Sequence, residues 1–204
     1  MIAVIDYGSG NISAIANSFR KNRINYQISG DPKVIDQADR LILAGVGSFD
    51  VTMQLLRDKG LFDVLNEQVI EKQKKILGIC VGMQVMAEKS EEGTMDGFGW
   101  IPGTVDRVVT DHGSKPSLPH MGWNSIVDLN KDQLLDKVDC DIGFYFLHSY
   151  YFNATHSSHV MANTDYFGIF PCIVRNGNVY GTQFHPEKSH SNGSRLLQNF
   201  SSLH

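Results

Sequence analysis

Three cysteines in 204 residues, Cys80, Cys140 and Cys172, are too few and too scattered for a disulfide framework or a zinc knot. They fit a reducing compartment, and the chain is expected to be cytoplasmic. No apolar run approaches the ~20 residues of a membrane-spanning helix. The opening Met1-Ile2-Ala3-Val4-Ile5-Asp6 carries no basic n-region, so no signal peptide is expected. Neither sign of charge dominates: 18 Lys and Arg against 22 Asp and Glu give a formal net charge of −4. Such a balance offers no basic footprint, so neither nucleic acid nor an anionic membrane is an expected partner. Repeats, low-complexity tracts and linkers are also missing. What is there, 42% hydrophobic and 20% charged residues, is ordinary for a globular chain. That length and composition suit one domain, residues 1–204, with a sizeable core.

Ile2-Ala3-Val4-Ile5 is a continuous apolar run, the mark of a strand covered on both faces. Asp6-Tyr7-Gly8-Ser9-Gly10-Asn11 turns from it into a helix whose Ile12, Ile15, Ala16 and Phe19 share one stripe. A dinucleotide fingerprint would set its third small residue at Ser13 and needs an acidic residue closing a second strand. The second requirement is not met, so a tight turn accounts better for the glycines. Residues 26–29 read as a second strand, and Asp31-Pro32 as the cap and first residue of a short helix reaching about Asp39. Residues 40–44 form another buried strand. It empties into Gly45-Val46-Gly47-Ser48-Phe49, a glycine-rich loop of the kind that open α/β sheets use for ligands.

Helical pattern covers residues 54–57 and then 61 to about 72, with Leu61, Val64, Leu65 and Ile70 on one side. A strand at 75–79, a turn at Cys80 and a helix to about Lys89 follow. The alternation predicts an α/β fold with a central, mostly parallel sheet and flanking helices. After Gly93 the pattern becomes short alternating segments with turns at Gly97, Gly99, Pro102-Gly103 and His112-Gly113. Strands are expected at 104–109 and 125–129, an aromatic strand at 143–152, and a hairpin turning at Asn176-Gly177. They make a smaller antiparallel β region in the second half, before a last helix over about 192–200.

Two stretches carry chemistry. In Gly78-Ile79-Cys80-Val81-Gly82 a thiol stands at a strand-to-helix turn, where backbone N–H groups favour the thiolate. Small flanking residues let the chain turn sharply and leave the sulfur accessible. Alone, the stretch also reads as an inert buried cysteine. In His185-Pro186-Glu187, an extended backbone would put the first and third side chains on one side, about 6.5 Å apart. Proline keeps the segment out of the helical region. Glu187 could then hold one ring nitrogen of His185, as the third member of a catalytic triad does. A solvated His beside a solvated Glu is the competing reading. His156-x-x-His159 lies in a polar turn and reads as solvated.

Gly78-Ile79-Cys80-Val81-Gly82-Met83-Gln84, followed downstream by Gly181-x-Gln183-Phe184-His185-Pro186-Glu187, resembles the triad (class I) glutamine amidotransferases, a flavodoxin-like fold. The Asp6–Asn11 turn, the Gly45–Phe49 loop, Pro119-His120-Met121-Gly122-Trp123-Asn124 and His148-Ser149-Tyr150-Tyr151 are similar to the glutaminase subunits of imidazole glycerol phosphate synthases. The resemblance implies hydrolysis of glutamine by Cys80 as nucleophile, His185 as base and Glu187 as its orienting carboxylate. It implies an oxyanion hole from the N–H of Val81 and one from Val46-Gly47, and substrate contacts at Gly47, Gln84, Ser149 and Tyr150. It further implies a (β/α)₈-barrel cyclase as heterodimer partner that consumes the ammonia, with Asn11, Trp123 and Lys188 on the docking face. No metal or cofactor is implied.

Ala44 stands where that family usually has proline, and Val81 where leucine is common; neither change removes a triad group. A paralogue feeding a cell-surface sugar amidotransferase, a partner-independent cysteine hydrolase and a silent regulatory subunit are the competing functions.

Overall fold

The computed structural model describes residues 1–109, 117–127 and 129–203. In chain order the strands are β1 (Ile2–Ile5), β2 (Tyr26–Ser29), β3 (Arg40–Gly45), β4 (Lys75–Cys80), β5 (Lys89–Ser90) and β6 (Gly103–Arg107). They continue with β7 (His120–Asn124), β8 (Phe144–His148), β9 (Tyr150–Ala154), β10 (Val160–Asp165), β11 (Ile169–Asn176) and β12 (Val179–Thr182). The helices are α1 (Ile12–Lys21), α2 (Pro32–Gln37), α3 (Phe49–Asp58), α4 (Leu61–Asn66), α5 (Val81–Gln84) and α6 (His190–Ser202).

Seven strands form the main sheet in the order β10-β11-β12-β4-β3-β1-β2. The five from β12 to β2 run parallel, and β11 and β10 add an antiparallel edge. Every residue of β1, and all but the first of β3 and β4, is buried. That is why these strands read as unbroken apolar runs rather than alternating ones. Two small sheets, β5-β6-β9 and β7-β8, supply the expected second region; their β6-β9 and β7-β8 pairs are antiparallel, and the short β5 joins β6 in parallel.

One pairing positions everything that follows. The last strand, β12, inserts beside β4 in parallel, with Gly181 opposite Gly78 and Thr182 opposite Ile79. On the other flank Gly45 of β3 stands opposite Cys80. The loops leaving β3, β4 and β12 therefore emerge side by side at the carboxyl edge of the sheet, where open α/β folds build ligand sites.

The structure departs from the sequence expectations in several elements. The helix after Cys80 stops at Gln84 instead of about Lys89. The carbonyls of Val85, Met86, Ala87 and Glu88 accept bonds from the amides of Phe98, Ile101, Gly99 and Gly97, so they are taken from the helix. The helix from Leu61 ends in a π turn, Glu67–Glu71, closed by Lys72 N–H to the Glu67 carbonyl. The wider turn rotates Gln68 and Val69 inward and leaves Ile70 exposed, against the expected stripe.

In place of the strand expected at 125–129, the chain forms β7 just before it, and Val127 makes an isolated bridge to Asn163. Residue 128 and the turn expected at His112-Gly113 lie outside the described residues. The aromatic strand expected at 143–152 is split at Ser149 into β8, paired with β7, and β9, paired with β6.

Candidate active site

Cys80 ends β4 at φ 55° and ψ −115°, a conformation that L residues rarely adopt. Holding it costs on the order of 1–3 kcal/mol, which the surrounding packing must supply. The glycines on either side show how tight that packing is. A Cβ on Gly82 would lie 1.8 Å from the Leu43 carbonyl oxygen, and one on Gly78 would lie 2.5 Å from the Gly82 carbonyl oxygen. Backbone touches backbone at both positions, so only glycine lets the turn close against β3.

His185 and Glu187 follow β12. The segment is not extended as the proline suggested: Pro186–Lys188 form a 3₁₀ turn with Pro186 at its first position, where its missing N–H is no loss. The turn still brings the side chains together, with His185 Nδ1 2.9 Å from Glu187 Oε1. The Glu187 side chain is 1% exposed, and the same oxygen accepts a bond from Asn11 Nδ2 at 3.4 Å. The ring and Cys80 line the same cavity, so Glu187, His185 and Cys80 stand in sequence at its wall. Burial by itself would lower the pKa of His185. Hydrogen bonds to Cys80 and Glu187, and the charges of both, outweigh it and push the value up to about 10. The ring is thus held as imidazolium, ready to give up a proton to a leaving group.

A cavity of about 280 Å³ opens on this chain of groups. Val46, Gly47, Cys80, Val81, Gln84, Ser149, Tyr150 and His185 all line it, so the residues expected for nucleophile, oxyanion hole and substrate meet in one place. Both hydrogens of the Gln84 amide are used inside the protein, by the Tyr150 carbonyl at 2.9 Å and Gln183 Oε1 at 3.1 Å. Its carbonyl oxygen is what remains for a ligand. The Val46 carbonyl accepts from Ser9 Oγ at 3.0 Å. Because carbonyl and N–H point oppositely across a trans peptide, the Gly47 N–H is turned away from Ser9. Ala44, in the usual proline position, keeps the strand end fixed: its carbonyl accepts from the buried Tyr7 hydroxyl at 2.8 Å. Burial, chiefly, pushes the Tyr7 pKa up to about 12, so it stays a donor.

The cavity also has walls that the sequence reading did not assign. Glu92 lines it, and its Oε2 accepts the Phe49 N–H at 2.8 Å, at the start of α3. No local pattern marks Glu92, because the contact joins segments 43 residues apart. His148, whose role the sequence left open, lines the cavity as well. It donates from Nδ1 to the Tyr150 carbonyl and meets His120 Nδ1 at 3.0 Å.

The three expected docking residues cluster behind the site. Trp123 is 45% exposed and stacks on His190, with ring centres 5.5 Å apart. It pairs across the β7-β8 ladder with Tyr145, over whose ring Lys188 lies. Asn11 reaches the same region through Glu187.

Comparison with known proteins gives one answer at three levels. The family model described as glutamine amidotransferase class-I matches residues 3–202. The imidazole glycerol phosphate synthase subunit HisH of Leptospira interrogans is 44% identical over 204 residues, the full length of both chains. Subunit HisH 2 of Pseudomonas aeruginosa is 41% identical over 203 residues, again covering both chains fully. Among solved structures, PurLQS from Thermotoga maritima superposes with a TM-score of 0.71 at 18% identity, over 98% of this chain and 96% of the other. A crystal structure of a glutamine amidotransferase gives 0.70 at 18%, over 98% and 97%. At that identity the structures speak for the fold. No helix among the described residues is long and apolar enough to cross a membrane.

Proposed function

The chain belongs to the class I glutamine amidotransferases, and within them to the HisH subunits of imidazole glycerol phosphate synthase, and on that premise we propose that Cys80, His185 and Glu187 hydrolyse the side-chain amide of glutamine. The chain is a glutaminase subunit of histidine biosynthesis. The Cys80–His185–Glu187 series, opening on a cavity of glutamine size, is the observation that carries the residue assignment. The Cys80 thiolate attacks the amide carbon, and the carbonyl electrons move onto oxygen. The N–H of Val81 and one from Val46-Gly47 receive that charge. As the intermediate collapses, the C–N bond breaks and His185 protonates the departing nitrogen, releasing ammonia and leaving a glutamyl thioester. Water, deprotonated by His185, hydrolyses the thioester to glutamate and returns the thiolate.

Gly47, Ser149 and Tyr150 hold the amino-acid end of the substrate, with the carbonyl of Gln84 as a further acceptor. Glu92 offers the carboxylate that its α-ammonium requires. A cyclase subunit docks on the face carrying Asn11, Trp123 and Lys188 and takes up the ammonia, which free water would convert to unreactive ammonium. The assembly works in the cytoplasm.

The test is ammonia release from glutamine by the purified subunit, alone and with the cognate cyclase and its ligand. Cys80→Ala is expected to abolish release in both conditions; release that survives the substitution refutes the assignment. A cell-surface sugar amidotransferase is the alternative acceptor to set against the histidine cyclase. Adding each acceptor in turn to the same assay separates the two.

A further inference from the structure

The sulfur of Cys80 has fewer backbone donors than its position suggests. Helix α5 is only four residues long, since its later carbonyls are claimed by 97–101, and a single turn has little dipole to offer a thiolate. Two other groups approach the sulfur, both at 3.8 Å. The Leu147 carbonyl can only accept, and so favours the protonated thiol. Gln183 Nε2 can only donate, and so favours the thiolate.

The sense of that second contact is fixed by the Tyr150 carbonyl acting through the buried amide of Gln84. A backbone carbonyl cannot donate, so the Tyr150 oxygen requires hydrogens from both Gln84 Nε2 and His148 Nδ1, each at 2.9 Å. The second hydrogen of Gln84 then goes to Gln183 Oε1, which leaves Gln183 Nε2 facing the sulfur. Turning the Gln183 amide over would set two amide nitrogens against each other at 3.1 Å. It would also present a lone pair to the thiolate. Gln183 is 0% exposed and Gln84 3%, so water cannot repair either fault.

An imidazole branch ends on the same Tyr150 carbonyl. With its proton on Nδ1, His148 accepts at Nε2 from His120 Nδ1. His120 Nε2 in turn accepts from Asn124, whose amide nitrogen also donates to the Asp165 carbonyl. The Asp165 and Tyr150 carbonyls therefore fix the orientations of Asn124, His120 and His148, while the Tyr150 carbonyl, acting through Gln84, fixes that of Gln183.

We propose that Gln183 is a catalytic residue, whose amide N–H stabilises the negative charge on the Cys80 sulfur beside His185. Gln84 is the positioning residue that keeps that amide turned toward the sulfur. The contact strengthens as the sulfur gains charge and needs no reorganisation, because the donor is already in place. The inference rests on Cys80 being the nucleophile, but its test does not depend on turnover.

The experiment follows alkylation of individual cysteines by iodoacetamide against pH, read by peptide mass, in wild type, Gln183→Met and Gln84→Met. Cys140, half-buried and away from this network, is the internal reference; burial and then the charges of Asp139 and Asp141 raise its pKa. Cys172, wholly buried, reports unfolding. Loss of one charge-assisted donor is expected to move the Cys80 profile alkaline by about one pH unit in both variants, with the Cys140 profile unmoved. Profiles of Cys80 that superpose on wild type overturn the proposal. If Gln183→Met exposes Cys172, Gln84→Met alone decides, since it releases the amide without touching the sulfur. Cys80→Ala bears on the glutaminase assignment in the turnover assay, so the two readings fail separately.

Discussion

His185 is where the residue scale is most sharply balanced. Burial opposes its charge, while Cys80 on one side and Glu187 on the other favour it, and they prevail at about 10. Glu187→Gln keeps the shape and removes one of the two charges, so the titration of the His185 ring followed by NMR should fall from about 10 toward the ordinary histidine range. Glutamine turnover should drop by roughly 10²–10⁴-fold, the usual worth of a positioned acid–base pair. An unmoved titration would mean that Cys80 alone sustains the imidazolium. These groups were legible in the sequence because each sits in a short motif: one glycine-flanked cysteine, and one His and Glu two residues apart. Glu92 and the sulfur-facing amide of Gln183 were not. Their meaning depends on which distant segment lies opposite, and that is decided by strand register.

Elements turn on a few backbone contacts. Gly82→Ala would drive a methyl into the Leu43 carbonyl, two pieces of backbone that cannot both yield. The variant is expected to lose about 1–3 kcal/mol in urea unfolding and to lose activity out of proportion, because the same shift moves the Val81 N–H. A stable, fully active Gly82→Ala would show that the turn tolerates a wider path.

The β7-β8 ladder carries a different liability. Burial, chiefly, lowers His120 to about 4 and His148 to about 3, so both are neutral when folded but protonate when unfolded near pH 6.5. Between those values the unfolded chain binds more protons, and stability falls as pH falls. Each ring contributes up to about 1.4 kcal/mol per pH unit. Urea midpoints measured from pH 7 down to 5 should decline accordingly, and a flat series would contradict the neutral pair.

The parallel core strands were readable as apolar runs. The early end of α5, the π turn and the shift to β7 were not, because tertiary hydrogen bonds override local periodicity there.

On the scale of the whole molecule, the cavity and the proposed docking face share the β7-β8 ladder and the turn after β12. Trp123 is the large aromatic of that face, and Met121, 65% exposed, stands on the same side of β7. Trp123→Ala is expected to weaken cyclase binding by about 2 kcal/mol or more in calorimetry while leaving the subunit's own Cys80 alkylation profile unchanged. Unaltered affinity would move the docking face elsewhere. The sheet order also has a consequence in time. The cysteine lies on the fourth strand synthesised, but its base and carboxylate follow the twelfth, which must slot between β4 and β11. A nascent chain therefore carries its thiol without His185 and Glu187 until β12 has been made and inserted.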